Sequence, residues 1–188
     1  MAILFFNFGA MAKEANKKIN KDEHVIYSFE IADETESWRI INDGVMGGLS
    51  QSNIISSDLG TAIFKGTISL ENYGGFASTR TAPVSYDLGE YEGIRIRVKG
   101  DGKKYQFRLR TDDSFDGISY RYEFTTEAGN WTIIDIPFNE CKPVFRGRIL
   151  KDVGPIIPEE IKQLGFLISD KQSGEFQIEI DWIKAYRK

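Results

Sequence analysis

Cys141 and His24 are the only cysteine and the only histidine among 188 residues, and those two counts remove most thiol and imidazole chemistry. A cysteine nucleophile needs a basic partner, and one Cys with one His cannot by themselves complete a zinc site. No intrachain disulfide can form. Cys141 is expected as a small hydrophobic residue beside a loop, and His24 as a surface or edge residue at the start of the first strand. Carboxylates are plentiful: Asp112, Asp113 and Asp116 crowd one loop, while Asp43, Asp135, Asp170 and Asp181 are scattered. Paired-carboxylate hydrolysis needs two of them opposed across a cleft. The sequence shows no such pair, so no catalytic residue is assigned. A structural calcium joining the first and last strands, through Glu30 or Asp33 with Asp181, fits hard-oxygen chemistry, although no dense ligand loop surrounds these positions. No other cofactor is implied.

The most unusual segment is Trp38 to Ser52, WRIINDGVMGGLSQS. Gly44, Gly47 and Gly48 bracket the apolar pair Val45 and Met46. Glycine is required where φ is positive or where another backbone or a ligand comes close. Asn42 and Asp43 are suited to closing an Asx-turn onto the amides that follow, with Ser50 just downstream. A phosphate loop is excluded because no Lys-Ser/Thr pair and no helix follow the glycines. A dinucleotide fingerprint fails on spacing and on the lack of a βαβ unit. A second glycine-rich element, NYGGFASTR at 72–80, makes a turn at Gly74 and Gly75 and leaves it through Phe76, Ser78 and Arg80. Two readings stand for both loops: tight turns packed at one sheet end, or a shared recognition surface on a rigid scaffold.

The elements that must position these loops read as strands. Val25, Tyr27, Phe29 and Ile31 alternate with polar or small residues. Residues 61–70 form a second strand, weakened or bulged at Gly66. Ile94, Ile96 and Val98 alternate with Arg95, Arg97 and Lys99; a Gly-Asp-Gly turn at 100–102 then leads to Tyr105, Phe107 and Leu109, which alternate with Arg108 and Arg110. Residues 91–111 thus predict a β-hairpin with one apolar and one basic face. The basic face is either solvated, with cross-strand pairs to residues such as Glu123, or a docking surface for acidic groups or sugars. Tyr120, Tyr122 and Phe124 continue the apolar face. Residues 131–138 and 164–169 follow as strands, and Phe176, Ile178, Ile180 and Trp182 alternate in a long closing strand. Residues 158–163 alone look helical. Many short strands between turn signals predict an all-β chain folded as an antiparallel β-sandwich or jelly roll.

A length of 188 residues, 41% hydrophobic and 13% aromatic, suits one domain with a sizeable core. The formal charge of −4 gives no general attraction to nucleic acid or to an anionic membrane. Residues 1–24 are expected as a tail preceding a domain at 25–188. Ala2 to Met11 is apolar, and Ala10, Met11 and Ala12 fit small-x-small cleavage, but the basic n-region is missing. A truncated export signal and an ordinary tail both remain open, so cytoplasmic and periplasmic locations do too. The stretch is too short to span a bilayer and lacks the Arg-rich amphipathic character of a mitochondrial transit peptide. Asn130, Trp131 and Thr132 match a glycosylation sequon, which matters only in a eukaryotic secretory setting.

DGVMGGLSQS, followed by FKGTISLENYGGFASTR, resembles the signature of the complex I intermediate-associated protein 30 family. So do Trp131 with IPF at 136–138, FRGR at 145–148, and GFLISDKQSGEFQIEIDWIKAY at 165–186. The similarity covers residues 25–188. It implies a galactose-binding-like jelly roll and a non-catalytic, chaperone-like role in assembling respiratory complex I, with a protein partner. The lack of a recognisable transit peptide sits poorly with the mitochondrial setting. The alternative is a carbohydrate-binding module of an exported bacterial protein, which predicts an exposed aromatic platform, with Tyr105, Tyr120 or Tyr122 as candidates if the inside-outside assignment of their strands is reversed.

Overall fold

Alternating apolar and polar residues place two antiparallel sheets face to face in the computed structural model, which describes residues 22–187. The first sheet runs β3 (Gln51–Ser56), β4 (Ala62–Ile68), β13 (Gly174–Tyr186), β6 (Gly93–Lys99) and β9 (Trp131–Pro137), with β1 (Glu23–Tyr27) paired to the far end of β13. The second runs β11 (Arg148–Ile149), β10 (Lys142–Phe145), β8 (Ser119–Thr125), β7 (Lys104–Arg110), β12 (Gln163–Ile168), β5 (Ala77–Thr81) and β2 (Trp38–Ile40). The chain is an all-β sandwich, as the alternation predicts. Residues 1–21, including most of the expected tail, lie outside the described residues.

The core fills the space between the inner faces. Ile94, Ile96 and Val98 of β6 and Phe176, Ile178 and Ile180 of β13 meet Tyr105, Phe107 and Leu109 of β7 and Leu164, Phe166 and Ile168 of β12. Phe107 and Phe166 meet edge-to-face with centroids 5.1 Å apart, and Tyr105 reaches across the sandwich to Phe176 at 6.5 Å. Each of these side chains buried from water contributes about 1.5–3 kcal/mol. Cys141 is buried and His24 lies exposed on β1.

Several local expectations are corrected. Residues 91–111 form no hairpin: β6 and β7 belong to different sheets, and residues 100–103 carry the chain around the sandwich edge. Gly100 packs against Thr126, and Gly102 takes φ +88°. A corner and a hairpin share one alternation pattern, so the pattern could not separate them. Gly66 carries no bulge; it keeps register with both neighbours, and a Cβ there would lie 2.0 Å from the Gln51 carbonyl oxygen. The bulge falls instead at Asp181, where Ile180 faces Val98 and Trp182 already faces Arg97. The extra residue switches the inward parity of β13 from Ile180 to Ile183 and Ala185. Trp182 is therefore turned outward, under the Lys184 ammonium at 4.3 Å. Strand β1 ends at Tyr27, Phe29 turns the chain with φ +55°, and Ile31 is left exposed. The helix expected at residues 158–163 shortens to a 3-10 turn, Pro158–Glu160, before β12 begins.

Candidate functional site

The two glycine-rich loops form one unit, and a buried carboxylate holds them together. Asp43 has no solvent exposure. Its Oδ1 accepts the Ser50 N–H at 2.9 Å, and its Oδ2 accepts the Ser50 hydroxyl, the Gly75 N–H at 2.6 Å and the Phe76 N–H at 3.2 Å. Burial acts to raise the Asp43 carboxyl, but the hydrogen bonds from Ser50, Gly75 and Phe76 outweigh it and hold the group below its ordinary value. Gly48 and Gly74 leave room for the carboxylate: a Cβ at either would lie 2.4 Å or 2.7 Å from its atoms. Gly47 caps the short 3-10 turn Asp43–Met46 with φ +90°. Gly44 is exposed with nothing within 4 Å of a Cβ. The expected Asx-turn is corrected, because both side chains reach across to other segments. Asn42 Oδ1 accepts from the Ser52 hydroxyl at 2.8 Å and the Ser78 N–H at 3.4 Å.

This fused loop pair forms one lip of a groove of about 690 Å³ on the outer face of the second sheet. Val45 and Met46 stand on the lip, 62% and 63% exposed, with Ile41 and Phe76 below them. Ser78 and Arg80 of β5, Arg108 and Arg110 of β7, and Gln163 and Leu167 of β12 form the floor. Phe115, Asp116 and Arg146 form the opposite wall, from the β7–β8 and β10–β11 connections. Arg146 is fixed there by Asp116 at 2.5 Å. Sequence reasoning misses this wall: FRGR at 145–148 and the acidic loop at 112–116 are each legible, but nothing local signals that they converge.

The floor arginines are held by neutral acceptors. Arg80 donates to the Phe115 carbonyl at 2.9 Å and lies over the Phe115 ring at 5.1 Å. Arg108 donates twice to Gln106 Oε1, at 2.6 and 3.1 Å, and once to the Ser119 hydroxyl at 2.7 Å. Arg110 donates to the Gly117 carbonyl at 2.9 Å. Burial lowers Arg108 to about 10, with Arg121 and Arg110 adding repulsion; burial lowers Arg80 to about 10, with Arg110 and Arg39 adding. Both remain cationic at neutral pH.

The basic residues expected on a single face are therefore split. Arg95, Arg97 and Lys99 lie on the outer face of the first sheet, each matched by a carboxylate. Arg95 takes Asp135 bidentately at 2.5 and 2.9 Å and Glu23 at 2.8 Å; Arg97 takes Asp181, and Lys99 takes Glu179 at 2.5 Å. Asp181, one of the calcium candidates, forms an ion pair with Arg97. Glu30 is exposed, the Asp33 side chain lies outside what is described, and no metal-holding cluster of three His, Cys, Asp or Glu occurs among the described residues. The aromatic platform is also corrected: Tyr105 and Tyr120 are buried in the core, and Tyr122 packs against it.

Comparison with known proteins places this geometry. The family model described as complex I intermediate-associated protein 30 matches residues 27–180. The chain belongs to the complex I intermediate-associated protein 30 family. A mouse relative, named complex I intermediate-associated protein 30, mitochondrial, is 27% identical over 198 residues, covering 95% of this chain and 60% of its own length. Its namesake from Drosophila melanogaster is 28% identical, covering 85% and 61%. The chain thus spans about three fifths of these curated relatives. Among solved structures, a family 11 carbohydrate-binding module from a cellulosomal cellulase of Clostridium thermocellum superposes with a TM-score of 0.66 at 19% identity, over 88% of this chain and 95% of that one. A family 11 carbohydrate-binding module from Clostridium thermocellum in complex with a β-1,3-1,4-mixed-linked tetrasaccharide likewise superposes with a TM-score of 0.66 at 19% identity, over 88% and 96%. At that identity the likeness shows the fold alone. No helix among the described residues is long and apolar enough to cross a membrane.

Proposed function

We propose that this chain is a non-catalytic binding module with a role in assembling respiratory complex I, and that it holds a protein segment in the groove of its second sheet. Family membership supports the assembly role. The observation that carries the groove as the site is its composition: exposed Val45 and Met46 on a lip above Arg80, Arg108 and Arg110. An apolar lip beside half-buried cations offers contacts that a mixed apolar and polar protein surface supplies. Catalysis lacks its parts. Among the described residues Asp116 is the only carboxylate lining the groove and is engaged by Arg146, while Cys141 and His24 line no part of it.

The test is affinity purification of the tagged chain from detergent-solubilised native membranes, read by mass spectrometry. The unaltered chain is expected to recover respiratory subunits, and Met46→Asp to lose them. Identical recovery by the variant would remove the groove from the proposal. Recovery without any respiratory subunit would remove the assembly role.

A carbohydrate-binding role is the second reading, favoured by the donors and acceptors on the groove floor, Gln163 and Ser78 beside the arginines. Against it, no Trp or Tyr among the described residues lines the groove, and the Phe115 ring is already covered by the Arg80 guanidinium. Titration against a glycan panel decides: binding that Arg108→Gln abolishes would favour sugar, and no binding to any glycan would dismiss it.

A further inference from the structure

The strand register of the second sheet assembles something the chain order hides. Arg39 of β2 faces Arg80 of β5, Arg80 faces Gly165 of β12, Gly165 faces Arg108 of β7, and Arg108 faces Arg121 of β8. Directly opposed residues share one face of a sheet. Five neighbouring strands therefore carry four arginines in a single row on the outer face, with Gly165 at its centre, and the inner two, Arg80 and Arg108, line the groove. Strands lie about 4.8 Å apart, so the backbones of Arg80 and Arg108 are about 10 Å apart and the row is about 19 Å long. Arg110 stands in the next row, facing Gln163.

Like charges directly opposed destabilise a sheet. The first sheet shows how this fold balances such charge: Arg95 faces Asp135 and Lys99 faces Glu179. The second sheet sets no carboxylate directly opposite an arginine of this row. Among the described residues Arg80, Arg108 and Arg110 hydrogen-bond to neutral carbonyl, amide and hydroxyl acceptors. Asp112 and Asp116 near Arg80 and Arg110, and Glu123 and Asp170 near Arg108, act on them at longer range, and within the row only the terminal Arg121 forms an ion pair, with Glu123 at 3.4 Å. A guanidinium fork is suited to bidentate carboxylate recognition.

Building on the protein-holding role proposed above, we infer that this row is the subsite for carboxylates of an acidic peptide segment whose apolar side chains rest on the lip formed by Val45 and Met46. Two carboxylates about 10 Å apart would span Arg80 and Arg108 on either side of Gly165, which is itself buried beside Arg80. An acidic glycan supplies carboxylates but leaves Val45, Met46 and Phe76 without an apolar partner. An acidic peptide supplies both chemistries to one groove.

Selection of a displayed library of random peptides, each about twelve residues long, on the full chain tests this directly. Sequences enriched on the unaltered protein are expected to carry at least two Asp or Glu together with apolar residues. Enrichment is expected to fall at least about tenfold on the Arg80→Gln, Arg108→Gln double variant. Calorimetry with the best synthetic peptide and its Glu→Gln counterpart on the unaltered protein gives an arm that does not depend on the variants folding. There the counterpart is expected to bind at least about tenfold more weakly, and affinity to drop as salt rises from about 50 to about 300 mM. Enriched peptides without carboxylates, lost on Met46→Asp, would overturn the acidic class and leave the protein-holding role standing. Groove-dependent binding of oligogalacturonate with no peptide enriched would overturn both.

Discussion

Asp43 and Gly75, 32 positions apart in the chain, meet through a 2.6 Å hydrogen bond from the Gly75 N–H to the Asp43 carboxylate. The bond makes one structural piece of two loops that contribute to the same groove lip. It also gives the aspartate of the DGVMGG motif a role in placing Val45 and Met46 without touching a ligand itself. Four donors converge on this carboxylate, two of them from Ser50.

Asp43→Ala leaves those donors facing a void inside the loop pair. Unsatisfied buried donors each cost about 1–3 kcal/mol, and the loss of chain stability is expected at about 3 kcal/mol. Ser50→Ala, which removes one hydroxyl, is expected to cost about 1 kcal/mol. Denaturant unfolding measures both. A loss under about 0.5 kcal/mol for Asp43→Ala would contradict the stapling role.

The same carboxylate confers a pH dependence of definite sign. Its folded-state pKa is depressed relative to the unfolded chain, whose aspartates titrate near 3.9. Its contribution is therefore fully present above that value and is lost as pH falls through the lower folded value. Glu23 and Asp135 are depressed as well and add the same sign. The stability difference between the unaltered chain and Asp43→Asn is expected to shrink as the pH is lowered from about 5 to about 2. A difference constant across that range would rule out Asp43 as a source.

Glycines of one motif separate by substitution. Gly44→Ala meets open space and is expected within about 0.5 kcal/mol of the unaltered chain. Gly48→Ala drives a Cβ to 2.4 Å from the Asp43 side chain and is expected to cost about 2 kcal/mol. Thermal unfolding of the two variants, run side by side, would refute this account if they shifted alike.

Cys141 is expected to be inert. Burial, with a smaller contribution from Glu140, pushes its thiol up to about 12, and the thiolate is the reactive form. Native protein at about pH 8 is expected to resist iodoacetamide while unfolded protein is alkylated. Equal alkylation rates in the two states would show the site to be open.

Arg95 is predicted to matter little to stability despite its two carboxylate partners. The cluster with Asp135 and Glu23 is partly solvent-exposed, and such pairs are worth about 1 kcal/mol or less. Arg95→Gln is expected to lower stability by no more than that, with the loss diminishing in high salt and with groove binding unaffected. A larger, salt-independent loss would mean that packing, including its contact over the Tyr186 ring at 5.0 Å, is the main contribution.

What the sequence determined alone was local. Period-two alternation in strands such as β6, β7, β12 and the first half of β13 specified half-buried strands, and with them the sandwich. The linked glycine motifs at 42–52 and 72–80 carried the family. One Cys and one His limited the chemistry. The tertiary structure decided what depends on partners far along the chain. A single extra residue at Asp181 reversed the inward parity of β13, and nothing in the local pattern marks where a strand will absorb one. The link at 100–103 turned from hairpin to corner because the two sheets, and not the turn residues, determined where β7 had to go. The arginine row is the clearest case. Arg39, Arg80, Arg108 and Arg121 become neighbours only when β2, β5, β12, β7 and β8 pair in that order, and register across five strands is set by core packing on the opposite face. Chain position placed Arg108 with Arg95, Arg97 and Lys99; the fold placed it beside Arg80, across Gly165.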